Sequence, residues 1–247
     1  MDKPITNKHG ERLDHQFERG TETSRREGIL FLLGHGVTGN KDRPILVETA
    51  HALNRAGYDT LRFSFGGNGD SEGSFTEATI SRELDDLEAI LEALPGGYTR
   101  IGYIGHSMGA AVGVLKAASD ARIDYLISLA GMVDTRAFAQ TEFGDLVPDE
   151  DVMWEESAFP LSQAFMTDLC ETVRSVLPQA ERISIPWLLV HGKGDDVVPP
   201  RDSEGIREQL GSRVDLVMVE DANHVFSKPE HLQAATRAVV DWVKETV

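Results

Sequence analysis

A serine sits between two glycines in Gly105-His106-Ser107-Met108-Gly109, after an apolar run at residues 101–104 and before an alanine-rich stretch at 110–118. That order predicts a strand that turns sharply into a helix, with Ser107 on the turn. A serine so placed takes a strained backbone conformation that pushes its hydroxyl clear of both elements, and glycines two positions to either side remove side chains that would collide. The helix N-terminus adds free amide donors beside an oxygen that becomes negative in acyl transfer. A glycine-rich packing turn would use the same letters, so the strand-turn-helix context is what makes Ser107 the candidate nucleophile.

An unactivated serine hydroxyl needs a base, and the base needs an orienting acid. Residues 187–190 read as a buried strand that leads through His191-Gly192-Lys193-Gly194 to Asp195. Residues 214–219 read as the next strand and end in Glu220-Asp221-Ala222-Asn223-His224. Both put a polar side chain just beyond the C-terminal end of a strand, the edge at which open parallel sheets bind ligands. Asp196 could replace Asp195 if the turn is one residue off, and Asp134 lies beyond the strand expected at 125–129. Of the other histidines, His35, His106 and His191 belong to motif loops, where packing or hydrogen bonding is the expected role, and His9, His15, His51 and His231 read as surface or helix residues. Gly66, Gly67 and Gly69 precede no Gly-Lys-Ser/Thr, so they read as a backbone turn and not a phosphate loop. The single cysteine, Cys170, reads as packing, and no His/Cys/carboxylate set has metal-ligand spacing.

The positioning elements follow from hydrophobic periodicity. Strands are expected at 29–33, 60–65, 101–104, 125–129, 187–190 and 214–219, and helices at 45–56, 82–94, 108–118, 203–210 and from His231 onward. Such alternation requires crossovers, so the expected fold is α/β, with a mostly parallel central sheet and helices on both faces. Residues 5–17, with Asn7-Lys8-His9-Gly10 in the middle, read as a decorative hairpin at the sheet edge. Residues 131–184 lack a good strand and read as an inserted cap on a core formed by 1–130 and 185–247. Within the cap, Leu161, Phe165, Leu169, Val173, Val176 and Leu177 predict one helix between Pro160 and Pro178.

Three further stretches carry a resemblance. Residues 33–41, Leu-Gly-His-Gly-Val-Thr-Gly-Asn-Lys, resemble the oxyanion-hole loop of the α/β-hydrolases; residues 62–73 resemble the loop after that family's fourth strand; and residues 191–199 resemble its acid loop. The order Ser, Asp, His agrees with the same arrangement. The resemblance runs from Ile29 to the C-terminus, and His35-Gly36-Val37-Thr38-Gly39-Asn40-Lys41 with a cap is most similar to the feruloyl/cinnamoyl esterase and acylglycerol lipase branch. It implies Ser107 as nucleophile, His224 as general base and then acid, Asp195 as orienter of the imidazole, and the backbone N–H groups of Val37 and Met108 as oxyanion donors.

The implied activity is carboxylic ester hydrolysis through an acyl-enzyme, with no cofactor. Aromatic and methionine residues of the cap, including Trp154, Phe159 and Phe165, point to a medium-sized apolar or aryl acyl group, with a thioester, lactone or peptide bond as alternatives. A noncatalytic small-ligand binder on the same fold would not require all three triad positions. The net charge of −17 over 247 residues repels phosphate backbones and anionic headgroups, so no nucleic-acid partner is expected. No apolar run is long enough to span a bilayer and the first twenty or so residues are polar, so no membrane insertion and a cytoplasmic location are expected. The expected partner is a small-molecule ester, and a homodimer is compatible with the composition.

Overall fold

The computed structural model describes residues 3–21 and 26–247. In chain order its elements are β1 (Ile5–Thr6), β2 (Arg12–Leu13), β3 (His15–Glu18), β4 (Ile29–Gly34), α1 (Pro44–Arg55), β5 (Asp59–Phe63), α2 (Ile80–Ala93), β6 (Arg100–His106), α3 (Met108–Ala117), β7 (Tyr125–Leu129), α4 (Thr135–Phe143), α5 (Gln163–Thr167), α6 (Leu177–Ala180), β8 (Trp187–Gly192), α7 (Arg201–Leu210), β9 (Val214–Val219) and α8 (Pro229–Thr246). Runs such as Leu30-Phe31-Leu32-Leu33 have no polar alternation, so a sheet built from them must be covered on both faces. Leu30 and Leu32 pack into one core with residues of α2, α3 and α7, whereas Phe31 and Leu33 pack into the other with residues of α1 and α8. The period of two thus feeds both cores from the same strand.

The main sheet has the order β3-β5-β4-β6-β7-β8-β9. All neighbours are parallel except β3, which pairs antiparallel with β5 at the edge. Successive parallel strands share one C-terminal edge, and the segments carrying Val37, Ser107, Asp195 and His224 leave from it after β4, β6, β8 and β9.

Two expected elements differ. The N-terminal hairpin forms, but β1 and β2 make their own two-stranded sheet, and only β3 joins the main sheet. It is anchored and not decorative: the buried Asn7 donates to Asp86 Oδ1 at 2.6 Å, and Arg82 donates to Glu11 at 2.9 Å, tying the hairpin to α2. The single helix expected between Pro160 and Pro178 is also broken. α5 runs into a widened π-type turn at Asp168–Val173, the chain reverses at Arg174 with φ 63°, and α6 follows. The cause is competition for carbonyls: Thr135 Oγ1 donates to Leu169 O at 2.8 Å and Arg136 Nε to Cys170 O at 2.7 Å, so side chains at the start of α4 intrude on the helical ladder.

Candidate active site

Ser107 lies between the last residue of β6 and the first of α3, with φ 55° and ψ −120°. A non-glycine residue holds such a conformation only when its surroundings fix it. The fixing contacts are backbone bonds: Ser107 N–H donates to Leu129 O at 3.0 Å, and Ser107 O accepts from Ala110 at 3.0 Å and from Met132 at 3.2 Å. The flanking glycines are sterically required. A Cβ on Gly105 would stand 2.3 Å from Gly109 O, and one on Gly109 would stand 2.3 Å from His35 O.

The loop after β4 passes directly beside this turn. A Cβ on Gly36 would lie 2.6 Å from Ser107 Cβ and 3.1 Å from its Oγ, so only a bare backbone can approach the hydroxyl there. Gly36 O accepts from His35 Nδ1 at 2.8 Å and from Gly39 N–H at 2.9 Å. That carbonyl and the Val37 N–H belong to one trans peptide and point in opposite directions, so holding the oxygen also sets the N–H. Neither the Val37 N–H nor the Met108 N–H donates to an acceptor among the described residues. His35 Nε2 accepts from Phe65 N–H at 3.0 Å, so the ring bridges two loops as a neutral imidazole. Burial pushes its pKa down to about 4, which keeps it neutral.

Asp195 and His224 meet: Nδ1 of His224 lies 2.9 Å from Oδ2 of the carboxylate. The other oxygen, Oδ1, accepts from the backbone N–H groups of Val197 at 3.0 Å and Val198 at 2.9 Å. His191 Nε2 stands 3.2 Å from Asp195 Oδ2 and 3.0 Å from Val198 O, and its Nδ1 pairs with Ser203 Oγ at 2.7 Å. Burial alone would raise the Asp195 pKa, but hydrogen bonds from His191, His224 and Val198 outweigh it and hold the carboxyl well below the usual range. Neither rival bonds to His224 among the described residues: Asp134 caps α4 by accepting from Ala137 N–H, and Asp196, with Asp134, Asp195 and Asp202, lines a neighbouring depression. His106 donates from Nε2 to the His224 carbonyl at 3.0 Å and lies with its ring 5.0 Å from that of His224. Burial, then the nearby His224, lower its pKa to about 3, so it anchors the histidine loop as a neutral ring.

Ser107 and His224 line one cavity of about 440 Å³, although no hydrogen bond joins them among the described residues. One wall comes from the loop after β4, the start of α1 (Pro44, Ile45), the segment that leads into α8 (Phe226, Ser227) and Leu232 in the first turn of α8. Phe138, Trp154 and Val197 complete the lining. Of the aromatics expected of the cap, Phe138 and Trp154 line the cavity, whereas Phe159 and Phe165 do not. Phe159, ahead of α5, packs half-buried against Phe75 of the loop after β5 at 5.1 Å between ring centroids, and Phe165 on α5 is buried against Phe143 at 6.0 Å. Sequence reasoning missed Arg43, which it assigned to no element, and Ile45 and Leu232, which read as ordinary helix residues. It also missed the acid-bracing role of His191, whose only signal was its place four residues before Asp195. Among the described residues no group of histidine, cysteine and carboxylate side chains could hold a metal.

A parallel sheet covered on both faces, with a serine on a strained strand-to-helix turn and a buried Asp–His pair at the same edge, defines a hydrolase of the α/β-hydrolase fold. Residues 50–247 match the prolyl oligopeptidase family, and the chain belongs to that family. It is similar to the bovine mitochondrial palmitoyl-protein thioesterase ABHD10, with 22% identity over 87% of this chain and 72% of that one. It is also similar in structure to the ferulic-acid-bound Est1E of Butyrivibrio proteoclasticus, at TM-score 0.86 and 25% identity, over 99% of this chain and 98% of that one. Mouse ABHD10 shares the fold at TM-score 0.70 and 16% identity, over 99% of each chain. The chain is an enzyme, an ester-cleaving hydrolase in class. No helix among the described residues is long and apolar enough to cross a membrane.

Proposed function

We propose that this enzyme hydrolyses small carboxylic esters through a Ser107 acyl-enzyme. The observation that carries the proposal is the 2.9 Å His224–Asp195 hydrogen bond at the cavity that Ser107 also lines. With Nδ1 committed to the carboxylate, Nε2 is the nitrogen that takes the Ser107 proton as Oγ attacks the acyl carbonyl. The new oxyanion is received by the N–H groups of Val37 and Met108. Collapse breaks the ester C–O bond, and the departing alkoxide takes the proton from His224. Water then loses a proton to His224 and attacks the acyl carbonyl, releasing the acid and restoring Ser107. Contributions of about 3 kcal/mol are ordinary for one fixed oxyanion donor.

Residues 131–184 are proposed as a cap that supplies Phe138 and Trp154 to the apolar lining, which suits a medium-sized apolar or aryl acyl group. The lining contains no carboxylate that could receive the free amino terminus of a peptide, which favours an ester over a peptide bond. A thioester is the second candidate, favoured by the name of the ABHD10 relatives. A single cysteine and a charge-rich chain suit a reducing compartment such as the cytoplasm. The test is hydrolysis of 4-nitrophenyl esters and their thioester counterparts together with labelling by a fluorophosphonate. Ser107→Ala should lose about 10⁴-fold or more of kcat and all labelling. Full activity in the variant, or label on another residue, would refute the assignment.

A further inference from the structure

Among the described residues, Arg43 is the one permanently charged side chain that lines the active-site cavity. It precedes α1 and sits on the wall shared with Pro44, Ile45, Phe226, Ser227 and Leu232. Its single hydrogen bond among the described residues runs from Nη2 to the Thr38 carbonyl at 2.9 Å, in the oxyanion loop. The remaining donors of the guanidinium have no partner there.

Other cations, Arg55, Arg201 and Arg237 among them, also lack a carboxylate partner within the described residues and Arg43 is exposed, so what distinguishes it is its place in the cavity lining. Acidic residues outnumber basic ones, 41 to 24, and the neighbouring cation Lys41 and the Arg62 that shares Asp42 with it are both paired. Lys41 holds Asp14 at 3.0 Å and Asp42 at 2.7 Å, and Arg62 holds Glu18 at 3.1 Å and Asp42 at 2.9 Å. Asp42, the carboxylate next to Arg43 in sequence, is therefore committed elsewhere. No carboxylate lines the cavity. The positive charge acts on the site interior, since Arg43 is among the groups that disfavour protonation of His35 and His106.

We propose that Arg43 is a specificity residue that selects esters carrying one carboxylate a few bonds from the scissile carbonyl. The proposal rests on the hydrolase assignment made above and names the substrate class for the same cavity. A guanidinium presents paired N–H donors that match a carboxylate in two parallel hydrogen bonds. The hydrophobic walls then take the apolar remainder of the substrate. A single guanidinium in a chain of net charge −17 suits a monoanion, because the surrounding acidic field opposes each further negative charge. Without Arg43 the same field would make the enzyme prefer neutral esters, which gives the test its sign.

The test compares kcat/KM on matched anionic and neutral esters, with the ratio as the readout so that a general loss of activity cancels. One arm carries the carboxylate on the acyl half: mono(4-nitrophenyl) glutarate against 4-nitrophenyl hexanoate. The second carries it on the leaving group: 4-(butanoyloxy)benzoate against its ethyl ester. Wild type should favour the anionic member in one arm, and that arm identifies the half of the substrate that faces Arg43. Raising salt should erode the preference. Arg43→Gln should lower that ratio about ten-fold, mainly through KM, and Arg43→Lys should restore part of it. The wild-type preference and its salt dependence need no variant, so they decide the matter even if the glutamine protein folds poorly. Turnover of neutral esters with no anionic preference in either arm, or a ratio unmoved by Arg43→Gln, would overturn the proposal and leave the hydrolase assignment standing. Failure of wild type to turn over any of the four esters would remove both.

Discussion

Asp195 accepts from the His191 and His224 rings and from two backbone N–H groups, so its charge is satisfied on every side. Replacing it with asparagine puts an amide donor where at least one of those donors needs an acceptor. Activity should fall about 10³- to 10⁴-fold, as expected when the imidazole loses the carboxylate that orients it. The stability effect has a defined pH sign. A carboxyl held below its ordinary pKa contributes stability that is present above the unfolded-state value and is lost as pH falls through the folded-state value. The gap between wild type and Asp195→Asn in urea melts should therefore be flat from pH 8 to about 5. It should close only in stronger acid, and a gap that closes near neutrality would contradict the assignment. His35 offers a second residue-scale case. His35→Ala removes one of the two donors that hold the Gly36 carbonyl, leaving Gly39 N–H, and should cost about ten-fold in kcat, less than losing an oxyanion donor outright. Fluorophosphonate labelling of Ser107 should persist in that variant, and unchanged kcat would show that the loop holds itself. The triad candidates were legible because each stands just past a predictable strand end. The bracing roles of His35 and His191 were not, since their partners, Phe65 N–H and Ser203 Oγ, lie on elements whose lateral placement no local pattern reveals.

At the scale of the element, the strands were read well because buried parallel strands announce themselves as short unbroken apolar runs. Residues 125–129 coincide with the fully buried β7, and 214–219 coincide with β9, an edge strand interrupted by Asp215 and exposed on one face. The expected helix at 160–178 failed for a tertiary reason: its apolar spacing is helical, but Thr135 and Arg136 take carbonyls the helix would have used. Helix α2 carries a feature that its amphipathic pattern conceals. Glu83 is 1% exposed, and its Oε2 has no hydrogen-bond partner among the described residues. Burial, with Asp86 and Asp168 nearby, raises its pKa well above the ordinary value. A carboxyl with a raised folded-state pKa makes the native state bind the extra proton, so its contribution is full below the unfolded-state pKa and declines as pH rises toward the folded one. Glu83→Gln removes that decline. Its stability relative to wild type should improve steadily from pH 4.5 upward, read as thermal midpoints across a buffer series. A constant offset would mean that Glu83 titrates normally.

Over the whole molecule, the acidic excess was plain from composition, while the way the chain closes on itself was not. Residues 5–17 alternate weakly and suggest an edge ornament, yet they bridge two layers of the fold. Asn7 Nδ2 donates to Asp86 Oδ1 at 2.6 Å and to Glu11 Oε2 at 2.8 Å, and its Oδ1 accepts from His9 and Glu11 backbone N–H groups at 3.0 Å each. Asp86 in turn accepts from Gly66 N–H at 2.7 Å, in the loop after β5. One buried amide thus links the hairpin, helix α2 and a loop at the active edge of the sheet. Burial already raises the Asp86 pKa, and the Asn7 hydrogen bond opposes that rise. Asn7→Ala strips a donor from a buried carboxylate and an acceptor from two N–H groups, which together should cost about 2–3 kcal/mol. For a chain of this size that corresponds to a fall of about 5–10 °C in Tm. The penalty should ease in acid, where Asp86 takes up a proton and no longer needs the lost donor as strongly. Ester hydrolysis per folded molecule should be preserved at low temperature, because Asn7 lies outside the cavity. If the alanine variant melted within about 0.5 kcal/mol of wild type, the size of an ordinary surface substitution, the hairpin would be an ornament after all.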